Sequence, residues 1–352
     1  MPLYPTLRAS HAAVLFLIFG LPCQLAAETL IVANKAEATA SLIDLDTGAV
    51  RATLPTGDGP HEVAVAPDGR LAVVTNYGRR DSAGNSLTLI DVPGARVVKA
   101  INLGDYSMPH GVEWLDDERV AVTVEANRAL IVVHVPTGDI VQVLETDQDI
   151  SHMVALDPEG RRAFTANIGS GSITVLDLAS GKRVRNIPTG DGAEGLAVAP
   201  GTRQIWVTNR GADTVTVLDG ETFEVVREIE STGFPIRATA TPAGHVLVTR
   251  ARAGDLVIYD AGTFETVRTI AFEIGTMDVE ERLFGDRFGD SSVPIGVIAD
   301  PAAERAFVAH ANADVITEID LASGEILRIL RAGREPDGMG YSSLSVAGPE
   351  SG

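Results

Sequence analysis

The 352 residues carry 48 Asp and Glu against 28 Lys and Arg, a net charge of −20, with seven histidines and one cysteine. Such acidity repels nucleic acid and anionic lipid, which excludes binding along an extended basic face and favours solubility or cationic partners. A single cysteine excludes an internal disulfide and a thiolate metal cage, so any metal would need nitrogen and oxygen ligands.

The chain opens with Arg8 and His11 before an apolar run over residues 12–21, too short to span a bilayer, and Leu25-Ala26-Ala27 offers small residues for cleavage before Glu28. Residues 1–27 therefore read as a secretory signal peptide, which places the mature protein in the periplasm or outside the cell with no membrane insertion. Cys23 falls inside the removed segment, and Pro22 before it argues against lipid attachment.

From Glu28 onward the pattern is a repeat. Pro158 with Asn167 returns as Pro200 with Asn209, 42 residues on, and short alternating runs such as Ile173-Thr174-Val175-Leu176 and Ile205-Trp206-Val207-Thr208 are split by Gly- and Asp-rich turns. Four such strands per unit make the blade of a β-propeller. Six turns register the units, at Pro67, Asp116, Pro158, Pro200, Pro242 and Pro301, and a seventh first strand appears at residues 337–342 with nothing after it. The N-terminal unit has three strands, at 30–34, 41–45 and 50–54, and lacks a first one. The expectation is an all-β, seven-bladed ring over residues 28–343, closed by pairing the C-terminal strand with the N-terminal blade, followed by a flexible tail at 344–352. Closure of this kind removes open sheet edges.

Val-Thr-Asn at 74–76 and 207–209, Ile-Asp or Leu-Asp at 43–44, 90–91, 176–177, 218–219 and 319–320, and Gly-Asp-Gly-Pro-His at 57–61 resemble the YVTN family of β-propeller repeats, including YncE-like proteins. The resemblance covers essentially all of residues 28–343. It implies the architecture strongly and the function weakly, because similar propellers include binding proteins and lactonase-like enzymes. The aspartates Asp44, Asp91, Asp177, Asp219, Asp260 and Asp320 end the third strands and suit capping of the following turn, with His134 in that place in the third blade. Two insertions break the period, at 79–85 and 272–293, and both belong to loops on one end of the channel. Phe272, Met277, Leu283, Phe284 and Phe288 give the longer one the composition of a folded lid.

Near the start of the innermost strands one column reads His61, His110, His152, Glu194, Ile236, Ile295 and Asp337. Ring closure sets Asp337 beside His61, so five neighbouring blades offer imidazole or carboxylate. His61, His110, His152, Glu194 and Asp337 are the expected metal ligands, for Zn, Cu, Fe, Ni or Mn. A second column at the ends of the second strands reads Asn34, Asn76, Glu125, Asn167, Asn209, Ala251 and His310, with the asparagines as loop caps, Glu125 orienting an imidazole and His310 a candidate acid or base. Arg237 and Arg250, near Arg252, are candidates for holding a carboxylate or phosphate, against the alternative of internal ion pairing.

The function expected is an exported module that binds a divalent metal or small ligand in the channel mouth, serving a periplasmic partner. Two alternatives stand beside it. One is a metal-dependent lactonase-like hydrolase or lyase in which His310 or Glu194 moves the proton. The other is an interaction scaffold with an inert channel. Gly-x-Ser-x-Gly and Walker motifs are absent from the sequence.

Overall fold

A computed structural model of the protein describes residues 28–277, 282 and 284–347. The expected signal peptide, Leu283 of the expected lid and residues 348–352 lie outside the described residues.

Seven four-stranded antiparallel sheets form the blades of one propeller. Blade 1 combines Thr29–Asn34, Thr39–Asp44 and Val50–Pro55 with the C-terminal strand Pro336–Ser342. The closing register pairs Leu30 with Tyr341, Ile31 with Gly340 and Val32 with Met339. The ring thus closes as the missing and surplus strands implied, and residue pairing at the seam matches that inside other blades.

The strand patterns explain the layering. Second strands such as Ile205–Asn209 are buried along their whole length because both faces pack on neighbouring blades, whereas outer strands such as Val225–Glu230 alternate or face solvent. Apolar clusters lie between blades; Trp206, Val215, Val246, Val257 and Tyr259 join blade 5 to blade 6. Thr208 and Thr249 donate to the main-chain oxygens of Ile236 and Ile295 at 3.2 and 2.7 Å, tying each inner strand to the blade before it.

Each turn aspartate accepts a main-chain N–H three residues on, as Asp44 does from Thr47 at 2.8 Å and Asp219 from Thr222 at 2.8 Å. His134 bonds the Thr137 hydroxyl at 2.9 Å in the equivalent turn. These aspartates are structural, as their position in the repeat implied.

Three expectations need correction. Residues 79–85 do not form a loop: the ladder continues through Gly78–Ala83 and Arg79–Ser82, so the insertion is a longer hairpin. The first residues of the expected flexible tail are tied down, since Thr29 donates to Leu344 O at 2.7 Å and Ala347 N–H donates to Pro93 O at 2.8 Å. The second column also slips by one residue in blades 3 and 6. Their first turns, closed by Leu115 to Arg119 and Thr241 to His245, are one residue shorter than the turn closed by Ala66 to Leu71 in blade 2. Val124 and Arg250, not Glu125 and Ala251, therefore stand opposite Pro109 and Pro235, where Asn76 stands opposite Pro60.

Candidate functional site

Two rings of side chains build the mouth of the channel. The first is the second residue of each inner strand: His61, His110, His152, Glu194, Ile236, Ile295 and Asp337 all line one cavity of about 440 Å³. This column was read from sequence in full. Inner strands crowd at the axis, and a Cβ at Gly296 or Gly338 would come within 2.1 Å of Asp337 O or 2.3 Å of His61 O, so only glycine fits there. Blades 2, 4 and 6 place Glu62, Met153 and Arg237 at the equivalent position instead.

The second ring is the residue that follows each second strand, or in blade 2, where that strand runs on to Arg79, its counterpart Tyr77. Before every inner strand one residue adopts the left-handed conformation, Met108 and Ile150 at φ 56° and 57° among them. Its carbonyl then accepts the N–H of the second-ring residue, as in Tyr77 to Gly59 at 3.0 Å, Glu125 to Met108 at 3.2 Å and Arg210 to Gly192 at 3.0 Å. This anchors Lys35, Tyr77, Glu125, Ile168 and Arg210 over the cavity they line.

A continuous polar chain runs through both rings. The Tyr77 hydroxyl donates to Glu125 Oε2 at 2.6 Å, and Glu125 Oε1 accepts from His152 Nδ1 at 2.5 Å. His152 Nε2 lies 3.3 Å from Glu194, which Arg237 Nη1 meets at 3.1 Å and Arg210 Nη1 at 2.5 Å. Arg237 reaches on to Glu62 at 2.7 Å, while His61 Nδ1 contacts Asp337 at 2.8 Å.

Burial works against charge on His152, but the hydrogen bond and charge of Glu125 and those of Glu194 outweigh it, so its affinity for a proton rises above the ordinary 6.5. Burial raises Glu194, yet His152 and the two arginines bring it down to about 2. Burial and the neighbouring Lys35 lower His61 to about 4, and burial between two other histidines pushes His110 well below 6.5. The surroundings thus favour the imidazolium at His152 and the neutral ring at His61 and His110.

His110 differs from its neighbours in its bonding. Its ring lies between His61 and His152, with centroids 4.4 and 3.5 Å away, and neither nitrogen has a hydrogen-bond partner although the residue is buried. One ligand atom each from His110, Glu125 and His152 falls within a 4.8 Å group, the set among the described residues able to close on one ion. Of the five expected ligands the structure thus joins His110 and His152, and Glu125 completes the set. His61 is engaged by Asp337, and Glu194 by two arginines.

Two family models match parts of the chain. One describes the YNCE-like beta-propeller and covers residues 24–120, and the other describes the Cytochrome D1 heme domain and covers residues 114–248. The chain is a seven-bladed β-propeller whose N-terminal part is similar to the YNCE-like beta-propeller family. No curated protein matches it by sequence. Among solved structures, Kuenenia stuttgartiensis Hydrazine Synthase is similar at a TM-score of 0.66 and 20% identity, over 84% of this chain and 92% of that one. At that identity the likeness concerns the fold.

Two expected site residues of this propeller lie away from the cavity. Arg250 holds Asp255 through two bonds of 2.8 and 2.6 Å, so its candidacy as a ligand-binding group is withdrawn. His310, offered as an acid or base, bonds Ser292 at 2.9 Å and Thr317 at 3.0 Å and is fully buried. It does what asparagine does elsewhere, since Asn209 meets Thr216 at 2.9 Å with the same spacing of seven residues. His310→Asn is therefore expected to cost about 1 kcal/mol or less and His310→Leu about 2–3 kcal/mol, because leucine leaves both hydroxyls unpaired. Urea denaturation of the two variants measures the difference; equal losses would show that the hydroxyl bonds carry no stability. Arg237 does line the cavity, but it is committed to Glu194 and Glu62, the internal pairing weighed above.

Lys35, Tyr77, Arg210 and Glu62 went unnoticed. Two signals were available: the residue one past the asparagine column of the second strands, and the departures from glycine at the third residue of the inner strands.

Among the described residues no helix is long and apolar enough to cross a membrane.

Proposed function

We propose that this propeller is an exported binding module that takes a divalent transition metal at His110 and His152, with Glu125 as the third ligand. The observation that carries the proposal is the buried, unpartnered His110. Two imidazole nitrogens out of reach of any protein donor or acceptor cost roughly 1–3 kcal/mol each unless a ligand meets them. The surroundings favour a cation: Glu125 and Glu194 flank His152, and the metal takes the place of the proton that His152 holds without it.

That exchange fixes the sign of the pH dependence. Burial opposes the His152 proton and the two carboxylates retain it, with the balance raised above 6.5, so metal competes with a tightly held proton. Affinity should fall on going from pH 8 to pH 6, with loss beginning above the ordinary histidine range of about 6.5. Calorimetric titration of Zn and Cu into the metal-free protein tests both points. His110→Ala is expected to weaken binding by about a hundredfold, while Asn209→Ala, whose side chain ties a loop, leaves it unchanged. Binding that ignores His110, or that strengthens in acid, would refute the assignment.

The heme-domain match over residues 114–248, which contains Glu125, His152 and Glu194, supports a second reading in which a tetrapyrrole would be held at the cavity and His110, just before the matched span, would offer a nitrogen to its iron. Adding haem to the protein and following the absorption spectrum for a coordinated Soret band, with His110→Ala as control, separates the two. Export is read from residues 1–27, and N-terminal sequencing of the secreted protein should begin at Glu28.

A further inference from the structure

A second concavity of about 740 Å³ opens beside the histidine cavity and shares Lys35, Tyr77 and Met108 with it. Its charge contrasts with that of the chain. In a protein of net charge −20, this cleft gathers Lys35, Arg79, Arg80, Arg282 and Arg334 around one carboxylate, Glu335.

Both period-breaking insertions contribute. The lengthened hairpin of blade 2 supplies Arg79 and Arg80, and the long connection before blade 7 supplies Arg282, held in place by two bonds to Asp314 at 2.5 and 2.9 Å. Blade 1 adds Lys35 and Arg334. Arg79 pairs with Asp58 at 2.8 Å, but both side chains are exposed, so the pair is weak and screened. Arg80 and Arg334 are exposed and make no ion pair among the described residues. Cations from two blades and one connection converge where two insertions were added, next to His110, whose ring nitrogens have no partner among the described residues.

We infer that this cleft binds a small, multiply charged oxyanion, one bearing carboxylate or phosphate groups, whose remaining part extends past Tyr77 into the histidine cavity. Guanidinium groups suit that chemistry because their planar donor pairs match carboxylate and phosphate oxygens. The inference rests on the cavity being a ligand site and not on the metal within it.

The test titrates citrate and, separately, pyrophosphate into the metal-free full chain at low ionic strength. At least one of the two should bind, and Arg80→Glu with Arg334→Glu should weaken it by about tenfold or more, as should added salt. Citrate alone would mark a carboxylate site and pyrophosphate alone a phosphate site, both in support. His110→Ala should retain anion binding even though it loses metal, so failure of the metal assignment and failure of this one are separately visible. Binding of neither anion, or equal binding by the double charge-reversal variant, overturns the inference. Both arginines are exposed, so the variant is expected to fold, and an unchanged melting transition checks it.

Discussion

Deletion of residues 336–352 is expected to abolish the single cooperative unfolding transition and make the protein prone to self-association. The strand Pro336–Ser342 pairs with Thr29–Asn34, so its loss strips the hydrogen-bonded edge from Leu30, Ile31 and Val32, all fully buried. Met339 leaves the cluster that joins blades 1 and 7, a loss of about 1.5–3 kcal/mol for that side chain alone. Each ladder bond adds about 1 kcal/mol, and the total is a large part of the 5–15 kcal/mol that typically holds a domain together. An open edge also templates pairing between molecules. Thermal unfolding with light scattering is the measurement; an unchanged, reversible transition in the truncated chain would mean that the seam contributes little.

Glu194→Gln should be the most damaging point change at the channel mouth, costing about 3–5 kcal/mol. Its carboxylate is buried and is met by Arg237, Arg210 and His152, so removing the charge leaves three cationic groups with fewer counter-charges in a site shielded from water. The pH dependence follows from direction. Burial raises the Glu194 carboxyl but its partners bring it from 4.5 to about 2, so the stabilisation is complete above about 4.5 and fades as pH falls toward 2. Wild type and variant should therefore differ most near neutrality and converge in acid. Coupling gives a sharper check: Arg237→Met placed on Glu194→Gln should recover part of the loss, because one of the stranded charges goes with it. Urea denaturation from pH 7 to pH 3 reads both effects, and a deficit that grows in acid, or strict additivity, would show that the two side chains do not act as a pair.

The legibility of the site followed its position in the repeat. His61, His110, His152, Glu194 and Asp337 occupy the same register position, and the inner strands do converge on one cavity. Glu125 was assigned the right task for an incomplete reason. Counting from the first turn gave it the place of Asn76, but the shorter turn of blade 3 gives that place to Val124 and moves Glu125 into the ring over the cavity. Its bond to His152 sets it against the neighbouring imidazole it was expected to meet. The same one-residue slip hid Arg250, whose pairing with Asp255 makes it a structural substitute for asparagine.

By itself the sequence determined the blade count, the closing seam, the turn aspartates and the column of histidines, because those depend on spacing along the chain and on a ring that has one way to close. The tertiary structure decided which of those side chains meet. Three histidines at one register position do not converge on one point: their rings stack at 4.4 and 3.5 Å, Asp337 draws off His61, and Glu125 reaches His152 from a different strand position. Arg237 pairs with Glu62, 175 residues away, across the axis. Such pairings depend on the angle at which each blade presents its side chains and on which charge finds its partner first shielded from water, and neither quantity is written in the spacing of a repeat.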